Sequence, residues 1–168
     1  MTRKIFLFGA VLFAGLIAGG QYLVWWDYNP SGNSPTFYID KLQYAIRVIG
    51  TPLFSVQILT ALFTIVCAVL WRKARPVNYM LAAAAAICVA GVLLTFFGNI
   101  PLLNQIASWN STFPPANWSE IANRWWLIHN VRFAIQLSAF VLLILSAISS
   151  GTRKDMPNSL VEGKLLET

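Results

Sequence analysis

Trp125, His129, Arg132 and Gln136 stand within the stretch "RWWLIHNVRFAIQ" at intervals of four, three and four residues. A helix turns about 100° per residue, so this spacing puts all four within about 60° of arc. Such a stripe can accept a proton through the imidazole, hold an anion with the guanidinium and stack a flat ring on the indole. His129 is the sole histidine of the chain. Each residue also has a plainer explanation: a satisfied buried histidine, an arginine that buries its stem and lifts its head to the membrane surface, a tryptophan in an aromatic belt. Gln136 fits the plainer explanation least well, because it lies deeper in an apolar stretch and needs a partner there.

The element that must carry this stripe is one of four apolar runs, at 5–26, 48–71, 77–98 and 125–150. The chain of 168 residues is 57% hydrophobic and 11% charged, whereas a soluble domain is about 45–50% apolar and about 25% charged. At about 1.5 Å per residue, each run can cross a hydrocarbon core of about 30 Å. The fold class expected is therefore all-α: an integral membrane four-helix bundle over 1–150, followed by a polar tail over 151–168. The first run has a second reading as a signal peptide, since Arg3 and Lys4 precede it, but Trp25 and Trp26 close it as an interfacial belt would.

The net charge of +6 is distributed as a membrane protein distributes it, which argues against a nucleic-acid partner. Arg3 and Lys4, then Arg72, Lys73 and Arg75, then Arg153, Lys154 and Lys164 all fall on one side of the four runs. The positive-inside rule makes that side, with both termini, cytoplasmic. The expected location is a multi-pass position in a membrane, the bacterial inner membrane being the default. Its partners would then be the lipid bilayer and a small hydrophobic or aromatic ligand, and a homo-oligomer is compatible with the same pattern.

The two outer connections, roughly 27–47 and 98–124, are not featureless. "NPSGNSP" marks a turn, and "TFYIDKLQYAIRVIG" reads as a short helix running into the second span. The second connection holds Asn99 and Asn104 on either side of Pro101, where capping and turn formation are their simplest roles. Without a charge until Glu120, it would lie on the membrane interface or fold over the mouth of the bundle. Asn110 and Asn117 head N-x-S/T patterns that matter only in a eukaryotic secretory pathway. Asp27, Arg47, Asn99, Asn104, His129 and Arg132 thus converge on the outer end, where a pocket lined by tryptophan would suit a flat, apolar, weakly acidic ligand.

Metal chemistry has little support. One histidine and scattered carboxylates do not supply a di-iron set, and two axial histidines for a haem are not present in the chain. No phosphate loop and no nucleophile motif occur. Cys67 and Cys88 sit at different depths of their spans and form no C-x-x-C.

The segment "FFGNIPLLNQIASWN", with Trp118 and then "RWWLIHNVRFAIQLSAF", resembles the anthrone oxygenase-like family of small four-helix membrane proteins. The residues that carry the resemblance are Asn99, Pro101, Leu102, Asn104, Trp109, Arg124, Trp125, His129 and Arg132. "LQYAIRVIGTPLF" resembles the family's glutamine-bearing segment through Gln43, while the first span is longer and more aromatic than the family pattern. The resemblance implies oxidation of an anthrone or related phenolic carbon acid by O₂, with no cofactor and no metal. It implies His129 as general base and Arg132 as the group that stabilises the anion. Trp125 and Trp109 would then stack on the polycycle, with Gln136, Asn99, Asn104 and Arg124 completing the substrate site. The rival reading is a non-catalytic membrane protein that binds a lipid, a quinone or another small hydrophobe, or that serves as a partner subunit. A transporter is a third, and would require oligomerisation to form a path.

Overall fold

The computed structural model describes residues 2–152; Met1 and most of the polar tail, from 153 onward, lie outside the described residues. In chain order the elements are α1 (Thr2–Asp27), α2 (Pro35–Ala45), a first π-turn (Ile46–Gly50), α3 (Thr51–Leu70), α4 (Arg75–Leu94), a second π-turn (Thr95–Asn99), α5 (Ile100–Ala107) and α6 (Trp118–Thr152). No strand occurs among the described residues. Four rods are long and apolar enough to cross a membrane: Thr2–Asp27, Pro35–Leu70, Pro76–Ala107 and Trp118–Ser150. They form a ring in which α1 packs on α3 and α6, and α4 packs on α3 and α6.

Three rods reach beyond their apolar runs. The second begins at Pro35, with the expected short helix running into the span from 48; the third continues to Ala107 rather than 98, and the fourth begins at Trp118 rather than 125. Apolar composition marks where lipid ends, whereas a helix ends where its backbone bonding ends. At the start of the second rod, the Ser34 hydroxyl accepts from the Phe37 backbone N–H and Pro35 takes the first turn, where its missing N–H costs nothing. Glu120 in the first turn of α6 suits the positive end of that helix.

Both π-turns stand just ahead of a proline, Pro52 in α3 and Pro101 in α5. A proline ring inside a regular helix collides with the carbonyl four residues back and leaves that carbonyl without its N–H. A wider turn relieves both problems, so the rods pass through their prolines without breaking.

The inner end, where α1 starts and α6 finishes, is apolar and closely packed. Leu7, Ala10 and Ala14 of α1 meet Cys67 of α3, Leu81 and Ala84 of α4, and Leu143 of α6. Small residues permit this approach. A Cβ on Gly9 would lie 2.5 Å from the ring of Phe63, which is itself held between Phe6 and Phe13. Both cysteines are free and buried.

At the outer end, the two long connections fold into a helical cap. Tyr38 and Leu42 of α2, Leu102 and Ile106 of α5, and Ile121, Ala122 and Trp125 of α6 form a second apolar core. Gln43 fastens this cap: its side-chain amide donates to the Ile106 carbonyl at 3.0 Å, which also accepts from the Trp109 backbone N–H, and to the Trp109 carbonyl at 2.9 Å just past the end of α5. Lys41 ties α2 to the end of α1, 2.7 Å from an Asp27 carboxylate oxygen and 2.8 Å from the Asp27 backbone carbonyl. The connection 98–124 thus folds over the mouth of the bundle, the second of the two arrangements its composition allows.

Candidate functional site

A cavity of about 280 Å³ lies beneath the cap, among all four rods. Ile17 and Val24 line it from the first rod, with Tyr28 just past its end, and Leu42, Ile46, Ile49, Leu53 and Phe54 from the second. Its polar groups are few and come together from separate elements: Gln57 of α3, Thr95 and Asn99 of the second π-turn, Asn104 of α5, and Trp125 and Arg132 of α6. A largely apolar wall with a few convergent polar groups is the usual make-up of a small-molecule site.

Arg132 is the charge in this wall. It is half-buried, and one of its terminal nitrogens donates to the Thr95 hydroxyl at 3.4 Å. Its Nε is fully shielded and has no partner in the protein. Among the described residues the ion pair present is Lys41–Asp27, so no carboxylate there answers Arg132. Thr95 lies 2.9 Å from Gln57 Oε1 and 2.9 Å from the Gly91 carbonyl, to either of which its hydroxyl can donate. Gln57 and Arg132 are therefore linked through one hydroxyl. Gln57 Nε2, Asn99 Oδ1 and Trp125 Nε1 are likewise buried without partners. The residues of the wall thus keep a guanidinium N–H, an amide N–H₂, an indole N–H and one amide oxygen without protein partners, shielded behind the cavity surface. That set suits a ligand rich in oxygen, above all one carrying an oxyanion.

His129 is fully buried but does not line the cavity. Its ring stacks on Trp125, with centroids 5.5 Å apart, and on Trp126, with centroids 5.7 Å apart. Its Nε2 lies 3.1 Å from the Gln21 backbone carbonyl. A carbonyl can only accept, so Nε2 carries the hydrogen and Nδ1 is the bare nitrogen of the neutral ring. Nδ1 has no partner. Trp125 touches both His129 and the cavity, so the imidazole stands one ring away from the ligand space.

The helical stripe thus divides. Trp125 and Arg132 face the cavity, joined by Asn99 and Asn104 as their positions suggest. Gln136 is buried beside it: a Cβ on Gly91 would lie 3.2 Å from Gln57 Nε2 and 3.6 Å from Gln136 Oε1, so this glycine leaves room for both amides. Trp109 is half-buried against the apolar core of the cap, and Arg124 is exposed; neither reaches the cavity. Sequence reasoning passes over Gln21, Gln57 and Thr95. The argument that marks Gln136, a glutamine deep in an apolar run, marks Gln21 and Gln57 equally. Among the described residues no three His, Cys, Asp or Glu side chains gather as metal ligands would.

The profile of the anthrone oxygenase family matches residues 43–142, which is 100 of the 168 residues. The chain belongs to the anthrone oxygenase family. The matched range holds Gln43, both π-turns and every polar group of the cavity except Tyr28, whereas α1 lies outside it. No curated protein and no solved structure gives a significant match. Within the matched range, Asn99, Asn104, Trp125 and Arg132 line the cavity, and Leu102, Trp109 and Trp125 pack in the cap above it.

Proposed function

We propose that this member of the anthrone oxygenase family oxidises a polycyclic phenolic carbon acid with O₂, as a multi-pass membrane enzyme with cytoplasmic termini. The observation that carries the proposal is Arg132, a cation without a carboxylate partner in the wall of an apolar cavity. An anthrone has an acidic CH₂ beside its aromatic rings, and loss of a proton gives a delocalised oxyanion. Arg132, with the N–H groups of Gln57 and Trp125, stabilises that anion where it forms. The apolar wall excludes water and so strengthens the interaction.

The chemistry then balances without a further reductant. The anion's carbon donates electrons to O₂ and forms a C–O bond, and protonation gives a hydroperoxide. Loss of the second C–H proton with cleavage of the O–O bond leaves a carbonyl and releases water. One oxygen atom of O₂ ends in the ketone and the other in water. His129 takes the first proton at Nδ1, with Trp125 shifting to let the ring and the carbon acid meet. The second reading is a binding protein that holds the same ligand class without turning it over; the observation favouring it is that no imidazole or carboxylate lines the cavity.

The test is O₂ uptake by purified protein with a hydroxyanthrone, in the presence of chelator, corrected for the spontaneous reaction. The enzyme reading expects uptake above the blank, lost in Arg132→Ala and strongly reduced in His129→Ala. Wild-type protein that binds the hydroxyanthrone yet matches the blank decides for the binding reading.

A further inference from the structure

The cavity reaches the protein surface where exposed residues line it. Gly50 and Thr51 line the cavity from the junction of the first π-turn with α3, and Ile100, Leu103 and Asn104 line it from α5. Thr51 and Asn104 are exposed, and Gly50, Ile100 and Leu103 are half-buried. A Cβ built on Gly50 meets nothing within 4 Å. Each π-turn packs chiefly on its own two flanking helices, and the second also packs on α6. Exposed cavity-lining residues on both arms, Thr51 and Asn104, mark the gap between them, and the cap joins the arms through α2 and α5.

The depth of this gap follows from helix geometry. From Trp71, which is buried at the inner end and stacked under Arg3 at 5.8 Å, the chain climbs 20 residues to Thr51. That is about 30 Å at helical rise, the thickness of the hydrocarbon core. The gap thus lies at the boundary between acyl chains and headgroups. Arg47 of the first π-turn, Thr51 and Asn104 are exposed beside the gap, and Phe96 and Phe97 of the second π-turn are aromatic side chains exposed by 56% and 72%. Aromatic side chains so exposed belong against lipid tails.

We infer that the gap between the first π-turn and α5 is a lateral portal, through which a flat aromatic acid dissolved in the membrane enters with its acidic oxygen leading toward Arg132. This deepens the oxygenase proposal by naming the phase from which substrate comes, and the choice of occupant rests on that reading. A polycyclic phenol partitions into bilayers, so the membrane concentrates it at the portal. Gly50 is the threshold residue. It has an ordinary helical conformation, φ −58° and ψ −56°, so a side chain there blocks the gap without straining the backbone.

The test does not require turnover. Leu103→Cys places a thiol on the cavity wall, with Ile100→Cys as the second variant should the first fold poorly; the buried Cys67 and Cys88 stay in place, and unmodified protein is the control. In lipid nanodiscs the full-length variant is treated with a membrane-partitioned aromatic maleimide and, separately, with a charged water-soluble thiol reagent. The portal predicts labelling by the first, little by the second, and labelling about tenfold slower when Gly50→Trp is added. Faster labelling by the charged reagent, or no effect of Gly50→Trp, overturns it. If that labelling pattern holds while hydroxyanthrone gives no O₂ uptake above blank, the portal stands and the oxygenase reading fails.

Discussion

The inner and outer halves of this bundle treat buried polar groups in opposite ways. Toward the inner end, Thr64 and Ser146 are fully buried, and each donates its hydroxyl to the carbonyl one turn back, at 2.7 Å in both cases. Nothing polar in either side chain is left over. In the outer half, Gln21, Gln57, Asn99, Trp125, His129, Arg132 and Gln136 all hold buried atoms without partners. A buried polar atom left unpaired costs about 1–3 kcal/mol relative to a paired one, so these groups of the outer half gain most from a ligand that pairs them. The comparison teaches where to look for function: the inner half is packed to hold the ring of helices together, and the outer half keeps unused hydrogen-bonding capacity around a cavity.

The largest effects should break this division most plainly. Leu143→Ala in the inner core is expected to cost about 2–5 kcal/mol of stability, read as a lower midpoint in detergent unfolding, with O₂ uptake per folded molecule unchanged. Arg132→Met should do the reverse. Uptake falls by about 10²–10³-fold, as when a group facing a developing oxyanion is lost, while the unfolding midpoint holds or rises because an unpaired buried cation is gone. If Arg132→Met unfolds as readily as Leu143→Ala, the arginine is structural and the division fails.

Glycines probe the same contrast at smaller cost. Gly9→Val forces a side chain into the Phe63 ring, 2.5 Å from where its Cβ must sit, and should cost about 1–3 kcal/mol in the unfolding midpoint. Gly91→Ala meets Gln57 Nε2 at 3.2 Å. It should gain part of the roughly 1 kcal/mol that alanine offers in a helix, yet disturb the Gln57–Thr95–Arg132 chain and weaken hydroxyanthraquinone binding. Binding by Gly91→Ala equal to wild type would remove Gln57 from the site. Trp125→Phe keeps a ring against His129 but loses one N–H, so binding should weaken by about 1 kcal/mol, the value of a single hydrogen bond, in a titration by fluorescence or calorimetry.

The sequence shows the four rods and the polar stripe readily, because both rest on composition and period. The outer cap is harder to see. Its helices are short, and α5 is continuous with α4 through a π-turn that spacing rules for α-helices do not anticipate. Asn99 and Asn104 look like capping residues beside Pro101, and only the wider turn shows that Asn99 is buried at the cavity while Asn104 lines its exposed edge. The stripe itself reads as one surface, yet it splits: a helix face about 60° wide still spans two neighbours, with Arg132 turned to the cavity and His129 toward α1. Gln57 is legible in principle, but the spacing on α6 says nothing about which residue on α3 will stand opposite.

The central claim is that Arg132 holds an oxyanion in the outer cavity. A hydroxyanthraquinone, which resembles the product and changes colour when its phenol ionises, tests it directly in the full-length protein in nanodiscs. At a pH where the ligand in empty nanodiscs is neutral, the account predicts that protein-bound ligand shows the absorption of the anion, and that Arg132→Met returns it to the neutral spectrum. The same spectrum in wild type and Arg132→Met, with binding retained in both, would contradict the claim.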